Sequence, residues 1–91
     1  MRKLILDGKK MINRDVLHDT FAEELHFPEW YGRNLDALFD CLTEIQEETE
    51  IWLCNKEAMD ANLGNYAGVM VKVLSQAAEE NSCIHLGTLD E

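Results

Sequence analysis

Three carboxylates spaced four residues apart are the strongest candidates for a binding or catalytic role in this sequence. Asp36, Asp40 and Glu44 lie in a segment, residues 34–55, that contains six acidic residues and no Lys or Arg. On a helix, this spacing stacks the three side chains along one face. Such a row could pair with the cationic groups of a partner, bind a divalent cation, or supply an acid and a base for hydrolysis.

The stability of the helix does not account for this row. Asp36 falls in the predicted first turn, where the helix dipole favours an anion, but Asp40 and Glu44 lie beyond the reach of that effect. Like charges at this spacing cost an isolated helix roughly 0.2–0.5 kcal/mol per pair. The row therefore indicates a cationic partner, with a merely solvated acidic face as the alternative.

Two aromatic residues precede the acidic segment. Trp30 and Tyr31 stand beside Gly32, and Pro28, the only proline, ends the preceding helix. Trp and Tyr are frequent anchors of protein interfaces. We expect one ring to fold into the core, Tyr31 being the better candidate, and Trp30 to stay exposed. Gly32 marks a position with a special backbone requirement.

A catalytic or metal-binding role for Asp36 and Asp40 lacks a supporting motif. The sequence has no Gly-rich phosphate loop, nucleophile motif or HxxxH pair, and its histidines stand singly at His18, His26 and His85. We expect no catalytic residue, no metal site and no cofactor.

The three cysteines, Cys41, Cys54 and Cys83, are far apart and odd in number. They support neither a disulfide framework nor a zinc site. We expect reduced and mostly buried thiols in a cytoplasmic protein. The N-terminal apolar run, residues 4–6, is too short for a signal peptide or a membrane span.

The charge balance limits the classes of partner. With 18 acidic residues against 8 Lys and Arg, the formal net charge is -10. Such an excess disfavours nucleic acid and anionic membranes and accelerates association with basic proteins. The 46% hydrophobic content and 91-residue length indicate one small globular domain.

The first two helices must position these residues. After a strand over Arg2–Leu6 and the turn pair Asp7-Gly8, either Asn13 or Asp15 can cap a helix. Its apolar residues Leu17, Phe21 and Leu25 recur at every fourth position and form the predicted buried face. The predicted solvated face comprises His18, Asp19, Glu23 and Glu24. Asn34 can cap a second helix that runs to about Glu44. Phe39 flanks its predicted buried stripe, which comprises Leu35, Leu38, Leu42 and Ile45.

The second half of the chain alternates strands and helices. Residues 51–54, which include Trp52, form an apolar run typical of a middle strand covered on both faces. A helix from Lys56 to Leu63 ends at Gly64, Asn65 can cap a longer helix that stops at Asn81, and residues 83–86 form a third strand. The longer helix has its own apolar set, Tyr66, Val69, Met70, Val73, Leu74 and Ala77. Alternation of this kind predicts an α/β fold, a small three-stranded parallel sheet packed with about four helices.

The segment Pro28–Thr43, PEWYGRNLDALFDCLT, resembles the barstar family of inhibitors of the extracellular ribonuclease barnase. A weaker similarity extends to Asp7-Gly8, Leu17-His18 and the late helix before Cys83. The resemblance implies a single barstar-like domain over residues 1–91, with a three-stranded parallel sheet and four helices.

The family also implies a function, inhibition by occlusion, in which the loop and second helix block the active site of a small basic ribonuclease. Asp40 would occupy the phosphate site, Asp36 would meet a neighbouring basic group, and Trp30 would stack near the catalytic imidazole. The free protein would be a monomer. By position, the implied ribonuclease-binding residues are Trp30, Gly32, Asn34, Leu35, Asp36, Phe39, Asp40 and Thr43, with Ile45 and Gln76 at the edge.

The chain departs from the family pattern at the flanks of this face. Trp30 stands where the family has Tyr, Phe39 and Ile45 where it has Trp, and Arg33 and Gln76 where it has acidic residues. Two of these changes reduce negative charge. The alternative function is therefore an acidic adaptor with the same fold that binds another basic protein, and a carboxylate-dependent hydrolase is a more distant one.

Overall fold

The computed structural model describes residues 1–89, which contain three strands and four helices. In chain order these elements are β1 (Arg2–Asp7), α1 (Arg14–Glu24), α2 (Leu35–Thr43), β2 (Thr49–Cys54), α3 (Lys56–Leu63), α4 (Asn65–Glu80) and β3 (Ile84–Thr88). The predicted α/β class is confirmed, and the predicted third strand lies one to two residues further along the chain than expected.

The three strands form one parallel sheet with β2 in the middle. β1 pairs with β2 and β2 pairs with β3, so that Ile5, Trp52 and Gly87 lie side by side. Each connection between neighbouring strands contains two helices. Parallel strands need such a long crossover, because the chain must return to the same end of the sheet.

Only one face of the sheet is fully covered, and the expectation that β2 is covered on both faces is wrong. Ile51 and Leu53 are buried on the helix side, at 0% and 3% exposure. On the opposite side Ile5 is 47% exposed and Trp52 is half-buried. The Trp52 ring lies so close to Gly87 that a Cβ there would come within 2.6 Å of it. A short apolar run does not indicate how many faces the helices will cover.

The core forms between the covered sheet face and the helices. Its largest fully buried side chains include Phe21 of α1, Leu38 and Leu42 of α2, and Met70 and Leu74 of α4. The predicted apolar positions of α1 and α2 therefore lie in the core, with Leu35 and Ile45 half-buried at its edge.

Of the three helix caps that were predicted from the sequence, two are confirmed. The side chain of Asn13, rather than Asp15, accepts a hydrogen bond from Val16 N at 2.9 Å and begins α1. Asn34 caps α2 as predicted. Asn65 does not cap α4 but is its first residue, because Gly64 takes the cap position with φ +61°. That conformation favours glycine.

His18 is buried at 2% exposure, so its assignment to a solvated face of α1 is wrong. Its Nδ1 lies 2.6 Å from the hydroxyl of Tyr31, and its Nε2 lies 2.7 Å from the hydroxyl of Tyr66. These hydroxyls come from the loop after α1 and from α4. Because both ring nitrogens are satisfied, burial of the imidazole costs little.

No helix within residues 1–89 combines the length and the apolarity needed to cross a bilayer.

Candidate functional site

The loop between α1 and α2 presents one aromatic ring and buries the next. Trp30 is 77% exposed, whereas Tyr31 is 6% exposed. Tyr31 packs against Phe27, with ring centroids 4.9 Å apart, and its hydroxyl bonds His18. Burial raises the pKa of the Tyr31 phenol, which therefore stays protonated and able to donate. The expectation that Tyr31 is the core ring is confirmed.

Gly32 is required by close approach. A Cβ at this position would lie 3.2 Å from Nδ2 of Asn34 and 3.3 Å from Cβ of Ala37. The left-handed backbone of the loop falls instead on Arg33, at φ 55°, and on His26, at φ 55°. The glycine lets the loop pass directly over the first turn of α2, where any side chain would force a neighbour to move.

Arg33 ties the same loop to α1. Its guanidinium forms an ion pair with Asp19 and donates to the carbonyl oxygen of Asp15 at 3.1 Å. The sequence alone does not reveal this contact, because Asp19 precedes Arg33 by 14 residues and the two belong to different elements.

Asn34 links the loop to the acidic helix. Its side-chain oxygen accepts from Ala37 N at 2.8 Å, and its side-chain nitrogen donates to the carbonyl of Gly32 at 3.2 Å. One residue therefore caps α2 and holds the loop that precedes it.

The acidic segment divides into two groups of carboxylates. Asp36, Asp40 and Glu44 are exposed, and their carboxylates form no hydrogen bond or ion pair with any of residues 1–89. The other three are engaged in the fold: Glu47 pairs with Arg2 at 2.5 Å, Glu48 with His85 at 2.5 Å, and Glu50 accepts from the Trp52 indole at 2.9 Å. The predicted face is thus the part of the acidic segment that remains available to a partner.

Asp40 stands between two surface hollows. One, of about 300 Å³, lies between α2 and α4 and is lined by Leu35, Asp36, Phe39, Asp40, Val73 and Gln76. The other, of about 230 Å³, lies between α2 and the loop and includes Trp30, Gly32, Asp40, Thr43 and Glu44. The fold therefore brings most of the predicted contact residues to one continuous surface centred on Asp40.

Of the predicted contact residues, Asn34 and Ile45 lie outside these two hollows. Ile45 follows α2 outside both hollows, half-buried, and its carbonyl accepts from the Asn81 side chain at 2.8 Å. The Thr43 hydroxyl donates back to the carbonyls of Phe39 and Asp40, both at 3.0 Å. Val73 was missed as a surface residue, because the periodicity of α4 assigned it to the buried stripe.

Burial and the carboxylates of this face both raise the pKa of a neighbouring thiol, that of Cys41. Burial raises the pKa of Cys41, and the negative charges of Glu44 and Asp40 raise it further. Cys41 lies on the inner side of α2 and is 7% exposed, so its thiol is protonated and packs as a small apolar group. Within residues 1–89, no group of three or more His, Cys, Asp or Glu side chains is placed to hold a metal ion.

Fold and geometry together define the class: a small α/β protein that presents an aromatic loop and an open row of carboxylates on one helix. The chain belongs to the Barstar (barnase inhibitor) family, which it matches over residues 1–86. A protein of Bacillus subtilis (strain 168) named "Putative ribonuclease inhibitor YrdF" is 46% identical over 81 residues, which cover 88% of this chain and 89% of that relative. The family resemblance noted in the sequence is confirmed.

Proposed function

We propose that this protein inhibits a small basic microbial ribonuclease by covering its active site with the loop and α2. The observation that carries the proposal is the division among the acidic side chains. Asp36, Asp40 and Glu44 have no partner among residues 1–89, while three carboxylates of the same segment are paired there. Membership in the Barstar (barnase inhibitor) family and the name of the Bacillus subtilis relative support inhibition over catalysis.

Asp40 is the proposed centre of the interface. A ribonuclease holds the phosphate of RNA with cationic side chains, and a carboxylate can replace that phosphate as a bidentate acceptor for a guanidinium. Asp36, one turn earlier on α2, would meet a second basic group. Trp30, exposed on the adjoining loop, offers a flat ring to stack on the catalytic imidazole.

Further contact residues surround these three. Gly32 and Asn34 contribute from the loop, and Leu35, Phe39 and Thr43 from α2, with Ile45 and Gln76 at the edge. The partner would be a barnase-like enzyme of the extracellular type. The protein itself is proposed to be a cytoplasmic monomer that neither binds nucleic acid nor associates with membranes.

The test is stoichiometric inhibition of RNA cleavage by a panel of small basic microbial ribonucleases. Asp40→Ala should weaken binding by on the order of 2–5 kcal/mol, roughly 30-fold to several thousand-fold, because desolvated cations of the enzyme are left unpaired; that range rests in part on the barnase–barstar pair itself. The free energy of unfolding should change by no more than about 0.5 kcal/mol, since the Asp40 carboxylate has no partner within the part of the chain that the structure describes.

Glu47→Ala is the matched control. It removes the same charge from the same segment, but its carboxylate already pairs with Arg2. Affinity should stay within about fivefold of the unaltered protein. Equal losses of affinity for the two variants would show that only the net charge matters and would contradict the role of Asp40. Unimpaired RNA cleavage across the panel would refute inhibition and leave the adaptor alternative, for which recovered partners would be other basic proteins.

A further inference from the structure

Arg14 presents a guanidinium that has no acidic partner among residues 1–89. It is the exposed first residue of α1, and its Cζ lies 4.1 Å from the centroid of the Tyr66 ring. Among residues 1–89 it forms no ion pair or side-chain hydrogen bond. Stacking uses the face of the guanidinium and leaves its N–H donors, which lie in the plane, free for an anion.

The stability of α1 does not explain an arginine at this position. The N-terminus of a helix carries partial positive charge, so a cation in the first turn is disfavoured. Arg33, the other arginine nearby, is neutralised by Asp19 and Asp15. Of these two arginines, only Arg14 has no acidic partner among residues 1–89.

The guanidinium lies at the border of the candidate interface. A hollow of about 390 Å³ is lined from α1, α4 and the loop by Arg14, Asp15, His18, Tyr66 and Arg33, and from the start of α2 by Asn34, Leu35 and Asp36. The last three also belong to the proposed ribonuclease-binding face. A partner whose basic group meets Asp36 therefore also places some group beside Arg14, and the guanidinium favours an acidic group at that position.

We propose that the bound ribonuclease places an Asp or Glu carboxylate in this hollow, where Arg14 binds it with two parallel N–H donors. This inference rests on the proposed inhibitory function and deepens it. This protein then contributes charges of both signs to the interface. The α2 carboxylates meet the basic active site, and Arg14 meets an acidic side chain at the rim of that site. Groups of opposite charge within one interface fix the orientation of the partner and reject partners that lack the acidic group.

The experiment compares Arg14→Gln with Lys9→Gln, using a ribonuclease of the panel that the unaltered protein inhibits. Both variants remove one positive charge, but Lys9 lines a separate hollow beside Asn55 and Thr88. Arg14→Gln should raise the dissociation rate by about tenfold, because a partner carboxylate loses its donors. Lys9→Gln should leave that rate unchanged.

Two further measurements separate recognition from support of Tyr66. Arg14→Lys keeps the charge but loses the planar fork, so its dissociation rate should lie between those of the unaltered protein and Arg14→Gln. The Nε–Hε NMR resonance of Arg14 should move downfield on addition of the ribonuclease, which a purely structural contact with Tyr66 would not produce. Urea unfolding of each free variant shows that the fold is intact.

Several results would overturn the proposal. If Arg14→Gln binds as tightly as the unaltered protein, or more tightly, no carboxylate occupies the hollow, although inhibition stands. An unmoved Nε–Hε resonance in a saturated complex leads to the same conclusion. If the unaltered protein inhibits no ribonuclease of the panel, the proposed function fails first and this inference fails with it.

Discussion

Trp30 and Tyr31 are neighbours in the chain with opposite surroundings, at 77% and 6% exposure. Trp30→Ala should leave the free energy of unfolding within about 0.5 kcal/mol of the original value, because an exposed ring contributes little packing. It should weaken ribonuclease binding by about tenfold or more, as expected for an interface Trp. Calorimetric titration and urea unfolding measure the two quantities.

Tyr31→Phe is the complementary change. It keeps the packed ring but leaves a nitrogen of buried His18 without its partner, which should cost about 1–3 kcal/mol of stability. Its effect on affinity should be the smaller of the two. A Trp30→Ala variant that binds normally would remove this ring from the proposed interface.

His18 makes stability depend on pH. Desolvation lowers its pKa below the ordinary value of 6.5, and the positive charge of Arg33 lowers it further. The unfolded chain therefore takes up the proton more readily than the folded one. Stability contributed by neutral His18 is complete above about pH 6.5 and is lost as pH falls from there towards the folded pKa.

The variant His18→Gln tests this. Its side chain can still bond the hydroxyls of Tyr31 and Tyr66 but does not titrate. Urea unfolding at pH 5 to 8 should show a steeper loss of stability below pH 6.5 for the unaltered protein, with an added slope of at most about 1.4 kcal/mol per pH unit. Parallel curves for the two proteins would show that His18 is not the titrating group.

At the scale of elements, α1 and α2 begin with the same device. Asn13 caps α1 by accepting from Val16 N at 2.9 Å, and Asn34 caps α2 by accepting from Ala37 N at 2.8 Å. Each Asn→Ala change should cost roughly 1 kcal/mol of stability through loss of the cap. Asn34→Ala should also weaken ribonuclease binding, because this side chain holds the carbonyl of Gly32 in the loop.

Asn13→Ala is therefore the matched control, because it should lower the stability by the same amount but leave ribonuclease binding unchanged. Thermal unfolding gives the first quantity and surface-immobilised ribonuclease the second. If both variants bind equally well, Asn34 acts only as a helix cap, and the loop keeps its shape through Tyr31 and Arg33.

At the scale of the whole molecule, the formal net charge of -10 acts before contact. An acidic protein and a basic ribonuclease attract each other over a distance set by the Debye length, about 10 Å at 0.1 M salt and about 3 Å at 1 M. The association rate measured by stopped flow should therefore fall steeply between these salt concentrations, while the dissociation rate changes much less. A flat association rate would contradict electrostatic steering.

The paired acidic residues refine this picture. Glu47 and Glu48 add to the long-range field but are engaged with Arg2 and His85. Their replacement should slow association without raising dissociation. Steering and contact thus depend on different carboxylates of one segment.

The order of elements, the parallel sheet and the identity of the acidic helix follow from local features of the sequence. Periodic apolar residues such as Leu38 and Leu42, the capping Asn34 and the stop at Gly64 are such features, whereas α1 ends at Glu24, four residues before the predicted stop at Pro28. They act within a few residues, so they can be interpreted without a structure. The exposure of Asp36, Asp40 and Glu44 follows from the same helical periodicity.

Which polar and aromatic residues are buried depends on how distant elements pack against each other. His18 is inside because hydroxyls from Tyr31 and Tyr66, 13 and 48 residues away along the chain, satisfy its ring. Trp52 is only half-buried because the helices cover one face of the sheet. Likewise, Glu47 forms an ion pair because Arg2 lies beside it in space, whereas no cation among residues 1–89 lies beside Asp40. Contacts between distant elements settle such questions, because the cost of burying a polar group depends on partners that local sequence does not identify.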